Sequence, residues 1–196
     1  MESKAEGFQK KGVAWKKHIK IFDKTFRPYI SHEEIIEAID RVAAKMNEDF
    51  KGTADIPVIL CVLNGSIIFT AELMQRLDFQ CELASIKLSS YSGTKSTGCV
   101  QTAMGLTCDI KGRKVIVIED IVDTGNTIVR LDSILREAGA AEITICTLLF
   151  KPDSYDKDIH IDYIAKEIPN DFIVGFGLDY DGLGRGLKEI YVIDEN

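Results

Sequence analysis

The chain has 196 residues, 45% of them hydrophobic and 28% charged, with a formal net charge of −7. That length suits one well-buried domain with at most a small appended lobe. The acidic balance argues against a general nucleic-acid binder, which needs a basic face. No apolar run approaches the length of a bilayer span, and Met1–Glu6 lacks the apolar core of a secretory signal, so the expectation is a cytoplasmic protein that engages no membrane.

Taken in order, residues 1–14 are polar and Lys-rich and read as disordered or lying along the surface. His18 to Phe22 is a candidate short strand. Ser31 followed by Glu34 forms a capping-box pattern. Ile35, Ile36, Ile39, Val42, Ala43 and Met46 then recur at helical spacing, predicting a helix to about Phe50 with Gly52 as its stop. Pro57 to Leu63 reads as a buried strand, and Asn64-Gly65-Ser66 turns it into a helix over Ile67 to Leu77. Further strands are expected at Glu82 to Ser89, Val115 to Glu119 and Ile143 to Phe150. A helix from Ile128 to Ala138, ended by Gly139, joins the last two. Strands alternating with helices predict an α/β fold with a parallel, doubly wound sheet.

Between Ser90 and Asp109 the periodicity breaks. Such a loop is a two-stranded excursion, an inert surface loop, or a lid that excludes water from a site, and a phosphate seat elsewhere favours the lid. The five cysteines, Cys61, Cys81, Cys99, Cys108 and Cys146, are odd in number and lack Cys-x-x-Cys spacing. They predict neither a disulfide framework nor a zinc site, and fit a reducing compartment. His18, His32 and His160 show no ligand spacing. Gly93-Thr94-Lys95-Ser96 lacks the glycine lead-in of a phosphate-binding P-loop. Gly182 to Gly186 stands too near the C-terminus for a dinucleotide fingerprint.

The most informative stretch is Val115 to Thr127. Four β-branched residues run into Glu119 and Asp120, Asp123 follows, and Thr124-Gly125-Asn126-Thr127 opens the next helix. Unpaired N–H groups at a helix start seat a phosphate. Thr124 and Thr127 add hydroxyl donors, and Gly125 permits close backbone approach. Glu119, Asp120 and Asp123 stand beside that seat, placed to hold sugar hydroxyls, a Mg²⁺ ion or a proton.

This stretch resembles the phosphoribosyl-pyrophosphate signature of the type I phosphoribosyltransferases, in the form used by their 6-oxopurine (hypoxanthine-guanine) branch. Other segments match that branch from about Lys20 to the C-terminus. Val62 to Ser66 resembles its pyrophosphate loop, where backbone at Leu63, Asn64 and Gly65 meets the leaving group and a non-proline cis peptide can fall between Leu63 and Asn64. The family often has Lys where this chain has Asn64. Ser90-Tyr91 resembles the start of the flexible lid. Lys151 resembles the lysine that contacts the exocyclic oxygen of a 6-oxopurine and so rejects adenine. Phe172 to Tyr180 resembles the purine-binding strand and loop.

The resemblance implies one phosphoribosyltransferase domain over residues 1–196, with a small hood lobe built from the chain ends and a lid over 90–109. It implies transfer of the 5-phosphoribosyl group from phosphoribosyl pyrophosphate to N9 of hypoxanthine or guanine, giving IMP or GMP and pyrophosphate, a purine-salvage reaction dependent on Mg²⁺. Glu119 and Asp120 would hold ribose hydroxyls or Mg²⁺, and Asp123 would take or orient the N7 proton. Asp123 to Thr127 would grip the 5′-phosphate, Phe172 would stack on the base, and Ile173 would offer it main-chain groups. Asp179 would reach Mg²⁺ and Arg185 the pyrophosphate. A homodimer or homotetramer is expected, with no nucleic-acid partner. A xanthine-preferring or orotate enzyme and a nucleic-acid-binding sensor of phosphoribosyl pyrophosphate are the rivals. Lys151 and Phe172 to Asp179 speak against orotate, and the acidic charge speaks against the sensor.

Overall fold

The computed structural model describes residues 18–88 and 105–194. Ser90, Tyr91, Cys99 and residues 1–14, to which the sequence assigns a lid, a thiol and a polar tail, lie outside the described residues.

Twelve elements follow in chain order: β1 (Ile19–Ile21), β2 (Lys24–Ile30), α1 (His32–Asp49), β3 (Val58–Leu63), α2 (Ile67–Met74), β4 (Glu82–Lys87), β5 (Lys114–Val122), α3 (Asn126–Glu137), β6 (Glu142–Phe150), β7 (Tyr163–Glu167), β8 (Ile173–Val174) and β9 (Ile190–Ile193). The main sheet has the order β4-β3-β5-β6-β7, all parallel. Its strand order reverses between β3 and β5, and the carboxyl ends of strands at such a switch point are where open α/β sheets bind ligands.

The central strands are apolar on both faces because both are covered. Ile59, Ile116, Ile118, Cys146 and Leu148 pack with Ile35, Ile39 and Met46 of α1 and with Phe69 and Leu73 of α2. Leu60, Val115 and Val117 pack with Leu131 and Leu135 of α3. The predicted capping box is present: Glu34 N donates to Ser31 Oγ at 3.1 Å, and Ser31 N donates to Glu34 Oε2 at 3.0 Å. The predicted apolar stripe of α1 is buried except at Ile36, which is only partly so.

The first two and last two described strands form the hood, an antiparallel sheet of order β1-β2-β9-β8. Ile173, Phe176, Ile190 and Val192 join the hood to the main core.

Several boundaries differ from expectation. β5 runs to Val122 rather than ending at Glu119, because its ladder with β6 continues through Ile121↔Leu149 and Val122↔Phe150. The carboxylates therefore sit within the strand's last turn of pleat. α3 begins at Asn126, two residues early, behind a left-handed Gly125 with φ of 78°. α2 ends at Met74 rather than Leu77, where tighter bonds from Arg76 N to Leu73 O and Leu77 N to Met74 O replace the helical pattern.

Candidate active site

Three turns at the carboxyl ends of β3 and β5 and beyond β8 meet at the switch point. The peptide between Leu63 and Asn64 is cis. Ser66 follows, fully buried, and its hydroxyl donates to Val62 O at 2.8 Å, closing the loop from beneath. Gly65 has no room for a side chain. A Cβ there would lie 1.6 Å from Asp120 Oδ2, so the Asp120 carboxylate rests against the Gly65 backbone. Gly177 in turn lies over Gly65, and its own Cβ would fall 2.0 Å from Gly65 O.

Arg185 fastens the hood side of this stack. Its guanidinium donates to Gly177 O at 2.6 Å and pairs with Asp179 Oδ1 at 2.6 Å. Gly182 N donates to the other Asp179 oxygen at 2.6 Å. Asn64–Gly65, Asp120, Asp179 and Arg185 thus form one cluster from three distant parts of the chain.

The sequence reading places a phosphate seat at the turn from β5 into α3. The N-cap of α3 is Gly125, which has no side chain to cap the helix, and N–H groups at such a start can accept an anionic ligand. Thr124, Asn126 and Thr127 are exposed around it, while Gly125 is buried against Tyr155 and Lys157. A cavity of about 460 Å³ opens here, and Leu63, Gly65, Glu119, Asp120, Asn126 and Thr127 are among the residues that wall it, with Leu88 and Arg130.

Electrostatics mark the two adjacent carboxylates. Glu119 is buried, and desolvation, with the neighbouring Asp120 charge second, holds its carboxyl well above the usual range. Burial also raises Asp120, partly offset by hydrogen bonds from the Ile121 and Asp120 backbone and by the Arg185 charge. A cation bound beside them would favour their ionised forms. Among the described residues no three His, Cys, Asp or Glu side chains gather to enclose a metal. The adjacent pair Glu119 and Asp120 fits Mg²⁺, which takes one or two carboxylates together with phosphate oxygens and water.

On the far side, Lys151 follows β6 and is buried, its amine 2.8 Å from Asp123 Oδ2. Phe172, just before β8, is 43% exposed. β8 ends the hood sheet, so Ile173 has a strand on one edge only among the described residues.

The structure thus brings together the sequence-selected residues of the pyrophosphate loop, the β5–α3 turn and the hood. Ser90 and Tyr91 lie outside the described residues. Sequence reasoning missed Arg130, although its spacing of three and four residues from Thr127 and Asn126 puts it on their face of α3. It also missed Tyr155 and Lys157, and gave Gly177 no role of its own within Phe172 to Tyr180, because their packing depends on contacts no local pattern reveals.

The start of α3 lies beside buried Glu119, half-buried Asp120 and an arginine at the switch point of a parallel sheet, an arrangement in an α/β protein that suits a phosphorylated ligand. Residues 29–181 match the phosphoribosyl transferase domain, and the chain belongs to that family of enzymes. It is 41% identical over 167 residues to a hypoxanthine-guanine phosphoribosyltransferase of Streptococcus pneumoniae (strain R6), covering 85% of this chain and 92% of that one. Against the enzyme of the same name from Lactococcus lactis it is 39% identical over 165 residues, covering 84% and 88%. A hypoxanthine phosphoribosyltransferase structure from Staphylococcus aureus superposes with a TM-score of 0.77 at 34% identity, covering 86% of this chain and 91% of the other. One from Trypanosoma cruzi gives 0.79 at 31%, covering 90% and 95%.

Proposed function

We propose that the chain transfers the 5-phosphoribosyl group of phosphoribosyl pyrophosphate to N9 of hypoxanthine or guanine, forming IMP or GMP and pyrophosphate in purine salvage. One observation carries the reading at the level of residues: Asp123, beside the uncapped α3 turn, is paired with buried Lys151 at 2.8 Å. A carboxylate for the purine proton and a cation for its exocyclic oxygen then stand next to a phosphate seat.

In the reaction the C1′–O bond breaks with its electron pair leaving on pyrophosphate, and N9 forms the new bond to C1′. Positive charge grows on the ribose as that bond loosens. Glu119 and Asp120 hold the ribose hydroxyls and favour that charge. Asp123 accepts or orients the N7 proton as N9 attacks. Thr124, Gly125, Asn126 and Thr127 seat the 5′-phosphate, while Arg185 and the backbone of Leu63, Asn64 and Gly65 receive the departing pyrophosphate. Phe172 stacks on the base, Ile173 offers it main-chain groups, and Lys151 selects a 6-oxo over a 6-amino group. Glu119 or Asp120, in place of a ribose hydroxyl, would hold Mg²⁺ together with phosphate oxygens and water, with Asp179 reaching it through water, and the ion would supply charge stabilisation for the pyrophosphate.

The whole chain acts as one unit, with residues 90–109, opened by Ser90 and Tyr91, as its lid. Residues 1–14 take no assigned part. The family resemblance supports a homodimer or homotetramer. Among the described residues no helix is long and apolar enough to cross a membrane, and Cys61, Cys81, Cys108 and Cys146 are free thiols, which supports a cytoplasmic setting.

Product analysis tests the reaction. Incubation with phosphoribosyl pyrophosphate, Mg²⁺ and hypoxanthine should yield IMP and pyrophosphate in equal amounts. Ribose 5-phosphate and pyrophosphate without nucleotide would contradict it.

A further inference from the structure

Tyr180 directly follows Asp179, and none of the roles above falls to it. Its hydroxyl donates to Asp23 Oδ1 at 2.7 Å. Asp23 lies far off in sequence, in the two-residue turn between β1 and β2. The Tyr180 ring meets Phe172 edge to face, with centroids 5.7 Å apart and planes at 87°. It meets Phe22, in the same β1–β2 turn, in the same manner at 5.8 Å and 80°. Phe26 stands 6.3 Å from Tyr180 and 6.0 Å from Phe172. Lys24 Nζ lies 5.6 Å from the centre of the Tyr180 ring. The main chain of Tyr180 is fixed as well, exchanging bonds with Leu183 across the tight turn that holds Asp179.

Tyr180 is therefore the joint between the N-terminal hairpin, the half-exposed ring of Phe172 and the turn that carries Asp179. Packing alone leaves a phenol ring free to tilt about its contacts. A hydrogen bond at the far end of the ring removes that freedom, because the hydroxyl must stay in reach of Asp23.

We propose that Tyr180, held by Asp23, is a positioning residue for the purine: it fixes the plane of Phe172 before the base arrives. The pair touches neither the base nor the reacting atoms. It acts by sparing the ordering of Phe172 on binding, a cost that otherwise falls on purine affinity. This role rests on the reading that Phe172 stacks on a 6-oxopurine.

The test uses the full-length enzyme and the 6-oxopurine it turns over best, with Tyr180→Phe, Asp23→Ala, Asp23→Asn and the double variant Tyr180→Phe/Asp23→Ala. Loss of one neutral-to-charged hydrogen bond predicts a rise in purine KM of about 5-fold in Tyr180→Phe and in Asp23→Ala. In both, kcat and the KM for phosphoribosyl pyrophosphate should stay within about twofold, since the bond is remote from the chemistry. Asp23→Asn keeps an accepting oxygen and should keep the wild-type purine KM. The double variant should be no worse than either single one, because both remove the same bond. Unchanged purine KM in both single variants would overturn the role, as would additive effects. So would parallel losses in kcat and both KM values with a lowered Tm, which would mark a merely structural part. A wild type that turns over no 6-oxopurine would remove the functional reading and this role together, whereas unaltered variants of an active enzyme would remove this role alone.

Discussion

Lys151 Nζ and Asp123 Oδ2 lie 2.8 Å apart, and the lysine is nearly enclosed while the aspartate side chain remains about half exposed. Both groups have a proposed part in purine binding, and each is the other's partner in the structure. Under that proposal a 6-oxopurine would replace the charge pair with two matched contacts, its exocyclic oxygen to the lysine and its N7 hydrogen to the carboxylate. A 6-amino group offers the lysine a second donor instead of an acceptor.

Asp123→Asn should lower kcat by about 100-fold, the usual scale for loss of a positioned proton acceptor. Binding of IMP or GMP, followed by calorimetry, should survive. Unchanged turnover would take Asp123 out of the proton-accepting role.

Lys151→Ala should raise the purine KM by at least about 10-fold, as expected for loss of a charge-assisted contact, and should narrow the gap between hypoxanthine and adenine. Steady-state kinetics with both bases checks it. A purine KM that does not move would show that the exocyclic oxygen is recognised elsewhere.

Gly65→Ala and Gly177→Ala should separate site from fold. At Gly65 the obstructing atoms all belong to the Asp120 side chain, which can swing aside. Its Tm should change little, while kcat/KM for phosphoribosyl pyrophosphate falls by at least about 10-fold as the carboxylate leaves its place. At Gly177 the obstruction is the Gly65 carbonyl, and φ is +103°. That substitution should cost at least about 2 kcal/mol of stability. Equal Tm losses in the two variants would contradict the assignment.

Much of this site was legible because its signals are local. The apolar run into Glu119, the Gly125 turn and the Ser31–Glu34 box each follow from residues close in sequence. The end of β5 was misread because two carboxylates interrupt its pattern, although Ile121 and Val122 continue the ladder against Leu149 and Phe150. The strands of the hood were harder. β8 has two residues and β9 four, and β2 carries Pro28 beside an irregularity in its register, so none offers a clean alternation. β7, Tyr163–Glu167, is an edge strand with two charged residues, and it too escaped. The Lys151–Asp123 pair depends on the β5–β6 register, which no spacing rule supplies.

Glu119→Gln should stabilise the ligand-free protein at neutral pH by on the order of 1 kcal/mol, because it removes an ionisable group whose charged form burial disfavours. Glu119 is raised in the folded protein, chiefly by desolvation. As pH climbs through the ordinary glutamate range near about 4.3, the unfolded chain loses its proton first. The stabilisation from the protonated form is complete below that range and is lost as pH rises through the folded-state value. The Tm gap between variant and wild type should therefore widen from acid to neutral pH and narrow when Mg²⁺ and phosphoribosyl pyrophosphate are added. A gap independent of pH would contradict the buried-charge account.

Phosphoribosyl transfer to a 6-oxopurine can be followed in a parallel assay of four bases. Purified protein with phosphoribosyl pyrophosphate and Mg²⁺ is given hypoxanthine, guanine, xanthine or adenine, and nucleotide formation is followed by absorbance. Turnover of hypoxanthine or guanine with adenine inert is the predicted result. Turnover of adenine alone, or tight binding of phosphoribosyl pyrophosphate with no base consumed, would contradict it.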